Sequence, residues 1–167
     1  INTTIVDDQR VYPLQATAVN RGYTPGILQE DGKLVAFTSA CGPLYFHGQQ
    51  FPADYQGNVF VCAPEANLIK RNLLDELPFS LSGHQAWSDQ EFIASTDQGF
   101  RPVNLKNGPD GAMYIVDMHR GIIQHKAYMT SYLREQYVSR GLDSLVGMGR
   151  ILRVTAGDDK WVETDLS

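Results

Sequence analysis

Short apolar runs alternate with turn residues at close spacing along this chain, which predicts strands and not long helices. Val35-Ala36-Phe37-Thr38 is the first run, Leu44-Tyr45-Phe46 the second and Asn58-Val59-Phe60-Val61-Cys62 the third. Leu68-Ile69-Lys70-Arg71-Asn72-Leu73 follows, then Glu91-Phe92-Ile93-Ala94-Ser95. Pro52, Asp54 and Gly57 supply a turn between the second and third runs. Ahead of these, residues 1–33 are rich in Gly, Pro and Asn, with one apolar alternation at Arg10-Val11-Tyr12-Pro13-Leu14. They read as a loop-rich lead-in.

The order then restarts. Pro102-Val103-Asn104-Leu105 reads as a strand, Gly108-Pro109-Asp110-Gly111 as a tight turn, and Ala112-Met113-Tyr114-Ile115-Val116-Asp117 as the returning strand. Gly149-Arg150-Ile151-Leu152-Arg153-Val154 supplies another. Between them Tyr128, Tyr132, Leu133 and Tyr137 fall at helical spacing, predicting a helix over 127–141 that Gly141 stops. The chain thus divides into a lead-in (1–33), a β-unit (34–98) and a second β-unit with a helical insert (99–167). Units of roughly 50 residues suit the blades of a β-propeller. Two blades cannot close a ring, so open edges call for further blades or another copy.

Composition narrows the function. The chain has 167 residues, 43% hydrophobic and 20% charged, with a formal net charge of -5. An acidic balance without Lys/Arg runs argues against nucleic acid as partner. No apolar stretch is long enough to span a membrane, and no signal-peptide pattern is visible. The first residue is Ile1, which leads to the expectation that the chain begins inside a larger gene product or after a processing boundary. Cys41 and Cys62 form neither CxxC nor CxxCH, so no zinc ribbon or covalently attached haem is expected. His47, His84, His119 and His125 lack a metal-ligand spacing.

Three strings are specific: Phe37-Thr38-Ser39-Ala40-Cys41-Gly42-Pro43-Leu44-Tyr45, Tyr55-Gln56-Gly57-Asn58-Val59-Phe60-Val61-Cys62, and Phe100-Arg101-Pro102-Val103-Asn104-Leu105. With Asn67-Leu68-Ile69-Lys70-Arg71, Phe92-Ile93-Ala94-Ser95-Thr96-Asp97 and Gly108-Pro109-Asp110-Gly111-Ala112-Met113-Tyr114-Ile115-Val116-Asp117-Met118, they resemble the C-terminal part of membrane-bound-dehydrogenase-like propellers. Those are similar to glucose/sorbosone dehydrogenases that use pyrroloquinoline quinone. The resemblance implies about two blades of a six-bladed, all-β propeller. It also implies a c-type cytochrome domain as partner, with Ca²⁺ and the catalytic His in other blades.

Arg101 sits just before an inner strand, where arginines of that family hold the cofactor's carboxylates, chemistry suited to a planar fork. The alternative is a structural Arg paired with Asp97 or Asp117. Because Arg101 flanks its strand, its loss is expected to affect ligand binding more than folding. Asp117, His119 and Arg120 follow the returning strand, where they would bind cofactor (Asp117, Arg120) or a substrate hydroxyl (His119). Otherwise they form a salt-linked loop anchoring the helix. Glu65 stands in a loop where the quinone enzymes place a Lys and would repel the cofactor, which leaves it a substrate contact. His47 and His125 read as satisfied surface or core residues.

Cys41 precedes one strand of a hairpin and Cys62 ends the next, so the two are expected to form a disulfide, an exported protein's feature. The competing reading is two small buried thiols. The resulting expectation is a segment of a periplasmic or secreted quinoprotein-like dehydrogenase that oxidises a sugar or alcohol and passes electrons to a cytochrome. The alternative is a non-catalytic propeller binding carbohydrate or a protein partner. A Ca²⁺-dependent hydrolytic propeller would need a dense carboxylate ring, which this segment lacks.

Overall fold

Inward and outward residues alternate along β2 (Val59–Ala63), where Phe60 and Cys62 are fully buried and Val59 and Val61 half-buried. The same alternation marks β7 (Met113–Asp117), and it sets which faces of two sheets meet. The computed structural model describes residues 4–78 and 80–157. The first sheet runs β1 (Cys41–Tyr45), β2, β3 (Leu68–Leu77), β4 (Ser80–Gln85), with the short β5 (Ile93–Ala94) pairing β3. The second runs β6 (Pro102–Asn107), β7 (Met113–Asp117), β8 (Arg150–Val154). Every pairing is antiparallel. The protein is all-β with one helical excursion.

The sheets pack through β6, which lies against β1 and β2. Gly42 permits that approach: its φ is +55°, and a Cβ there would stand 2.6 Å from the Asn104 Cα. Leu44, Phe46, Phe60, Cys62 and Ile69 meet Leu105, Met113 and Ile115 in one core. Phe92 closes it from the side, edge-on to Phe60 at 4.7 Å between ring centres. Val11 and Leu34 pin the lead-in over Ala63, Ala66 and Leu68.

Gly108-Pro109-Asp110-Gly111 joins β6 to β7 as a tight turn. Gly111 takes φ +77°, and the Asp110 carboxylate accepts from Ala112 N at 3.2 Å and Arg153 Nε at 2.6 Å. Between β7 and β8 the chain makes a 3₁₀ turn (Lys126–Tyr128), the helix α1 (Ser131–Ser139) and a second 3₁₀ turn (Leu142–Ser144). Thr130 caps α1 by accepting from Leu133 N at 3.2 Å, so the helix starts later than its spacing predicted. Left-handed Gly141 follows its end.

One expectation changes and one strand is added. Val35–Thr38 is no strand, because among the described residues its pairing with the lead-in stops at isolated bridges, Arg10 with Ala36 and, just ahead of it, Leu28 with Leu34. Ser80–Gln85, too polar to show an alternation, is a strand because it extends the β3 hairpin, pairing Asn72–Leu77. The ends of the lead-in and of the second unit, residues 1–3 and 158–167, lie outside the described residues. Among the described residues, no helix is long and apolar enough to cross a membrane.

Candidate functional site

The starts of β1 and β6, the loop after β2 and the excursion after β7 enclose a cavity of about 440 Å³. Ser39, Cys41, Glu65, Arg101, Ile122 and Leu133 are among its walls. Arg101 forms its base and is only 2% exposed. Its Nη1 donates to the carbonyls of Pro64 (2.7 Å) and Glu65 (3.4 Å), its Nη2 to Gly121 (2.7 Å) and its Nε to Arg120 (3.2 Å). All four bonds end on main-chain oxygens, so the guanidinium clamps the β2–β3 loop to the segment after β7. Burial pushes it down to about 10, opposed by the carboxylates of Glu65, Asp117 and Asp97, so it stays charged at neutral pH.

Asp117 points inward by the alternation of β7 and is 1% exposed. Its Oδ1 accepts from Arg101 N (2.7 Å) and His119 N (2.8 Å), and its Oδ2 from Arg150 Nε (2.8 Å). Arg150 also reaches Asp97 at 3.5 Å. His119 holds φ 40°, and its Nδ1 stands 3.7 Å from a carboxylate oxygen of Asp97 and of Asp117. Among the described residues that nitrogen makes no hydrogen bond. The cluster ties the neck of the excursion, where β7 ends and β8 begins.

The expected site residues therefore divide. Arg101 and Glu65 share the cavity, where the Glu65 carboxylate accepts from the Thr38 hydroxyl. Asp117 and His119 sit in the neck, and Arg120 lines two other clefts beside Gln124. Only the Arg120 carbonyl meets Arg101. The alternative pairing of Arg101 with Asp97 or Asp117 also changes. Asp117 takes the Arg101 main-chain N–H, and Arg150 bridges the two carboxylates.

Cys41 and Cys62 are register partners across β1 and β2, and both are free thiols. Burial raises both, and Cys62, fully enclosed, is pushed up to about 12. His47 and His125 are exposed, His47 against Asn107 and His125 against Tyr128. Arg150, Ile122 and Leu133 carried no sequence signal of a site. Arg150 faces Asp117 by β7–β8 register, and register across an excursion of this length cannot be read from spacing.

A quinone with several carboxylates needs converging cations. Of the three residues expected to hold it, Asp117 is itself an anion, Arg120 lines other clefts, and Arg101 has spent its fork on carbonyls. As a set these residues do not fit that cofactor. Among the described residues no group of three His, Cys, Asp or Glu side chains is placed to hold a metal ion.

By fold the chain is an all-β protein of two packed antiparallel sheets. By comparison it belongs to the family described as Domain of unknown function (DUF7133), whose model matches residues 2–158. No curated protein and no solved structure matches it.

Proposed function

We propose that this chain supplies two neighbouring blades of a six-bladed β-propeller in an exported, quinoprotein-like dehydrogenase, whose complete ring oxidises a sugar or alcohol and passes electrons to a c-type cytochrome. The repeated sheet supports this reading. β1–β2–β3 and β6–β7–β8 run in the same antiparallel order, and the first strand of each packs on the other, as tandem blades repeat around a channel. This segment's part is to wall a ligand cavity. The catalytic base and any contacts to a quinone fall to other blades. One guanidinium, with Glu65, Ser39 and Gln124 against an apolar wall of Val103, Ile122 and Leu133, suits a small hydroxylated molecule.

A dye-linked assay of the complete gene product with pyrroloquinoline quinone and Ca²⁺ tests this, using aldoses and primary alcohols as substrates. Quinone-dependent turnover is expected. Binding of a sugar without turnover would favour a second reading, a non-catalytic propeller binding carbohydrate. That reading is supported by the carbonyl clamp around Arg101, which leaves its fork no free pair of donors.

A further inference from the structure

Two segments far apart in sequence meet at the wall of the Arg101 cavity. Val19 of the lead-in lines it, and so does Leu133 in the first turn of α1. A cation–π contact joins them. The Arg21 guanidinium, two residues beyond Val19, lies 4.7 Å from the ring centre of Tyr132, the neighbour of Leu133. Tyr23 also holds that guanidinium, with its ring centre at 5.4 Å and its hydroxyl accepting from Arg21 at 3.0 Å.

The helix at that wall is loosely held. None of its nine residues is buried, and a helix this short has little stability of its own in water. The chain beyond it passes through Gly141 and Gly147, both at positive φ, with nothing within 4 Å of where a Cβ would stand. The neck of the excursion is firm by contrast. Arg150 binds Asp117, and Leu142, 5% exposed, packs against Gly121. A loosely packed element on a fixed neck is the part of a fold that opens first.

We propose that α1 is a gate over the cavity, latched by the contact between Arg21 and Tyr132, and that its opening admits small molecules to the wall formed by Cys41 and Arg101. The gate rests on the cavity's being a ligand site only for its purpose. Access itself is read without any dehydrogenase activity, so failure of the enzymatic reading leaves this test intact.

Cys41 lines the cavity while Cys62 is enclosed in the core, so the pair reports access with an internal control. In the reduced full chain, labelling by iodoacetamide is followed at each cysteine by mass spectrometry. Arg21→Ala and Tyr132→Ala should each raise the Cys41 rate about two- to fivefold, as expected for an exposed cation–π latch. The double variant should go no faster than either single one, and Cys62 should stay unlabelled throughout. Tyr132→Phe keeps the ring and should label at the native rate. Unchanged Cys41 rates in the alanine variants would overturn the gate. So would faster labelling of Tyr132→Phe, or acceleration of both cysteines together.

Discussion

Arg101 is a clamp before it is anything else. Four bonds to carbonyls on two segments replace the exposed position expected of a residue flanking a strand. Arg101→Ala strands those buried carbonyls and should cost about 2–4 kcal/mol of stability, since bonds to charged groups and unsatisfied acceptors each carry a large penalty. Denaturant melts check it. A loss within about 0.5 kcal/mol, the range of an ordinary surface substitution, would return Arg101 to a purely ligand-facing role. Asp8 offers a pH handle. The Arg10 side chain bonds its carboxylate and outweighs partial burial, holding it at about 2, well below the usual carboxylate range. A carboxylate depressed in the fold contributes stability above its unfolded value and loses it as pH falls through the folded one. Asp8→Asn should therefore flatten the loss of stability between about pH 4 and pH 2. Melting temperatures across that window that match the native protein would contradict it.

At the scale of elements, the β1–β2 hairpin sets Cys41 opposite Cys62, so a mild oxidant such as diamide should bridge them with no change in strand content. Closing that loop should add on the order of 3 kcal/mol on the chain-entropy model. Mass spectrometry of the oxidised chain decides it. Two alkylatable cysteines after oxidation would show that the side chains cannot meet.

The strands were legible where apolar residues alternate, as in Val59–Ala63 and Met113–Asp117, because burial of one face leaves a period of two. Ser80–Gln85 was not, since its pairing comes from the β3 hairpin and not from its own side chains. The excursion was legible from its tyrosines, but its N-cap moved the start. Within the site, Arg101 and Glu65 were legible as candidates flanking strands. Their shared cavity was not, because its walls come from Val19, Cys41, Ile122 and Leu133, which only the fold brings together. The buried Lys70–Glu91 pair, 3.3 Å apart with both side chains 1% exposed, was equally hidden. Lys70 read as part of a strand, and nothing in its spacing pointed to Glu91.

Across the whole molecule, the outward face of the second sheet is the exposed one. Ile151 is 69% exposed, and its register partner Val116 and nearby Met118 are open as well. Among the described residues β8 is the edge of its sheet, and such an edge beside an apolar face invites pairing. The isolated chain should self-associate in size-exclusion chromatography with light scattering, and Ile151→Lys should shift it towards monomer. A well-dispersed native monomer with cooperative melting would contradict the two-blade reading. Whether the two sheets belong to a ring is decided by an experimental structure of the complete gene product with the blades counted. A six-bladed ring is expected, in which β1–β5 and β6–β8 lie in adjacent blades with β1 and β6 nearest the channel. Two sheets closed on each other as a free-standing sandwich would contradict it.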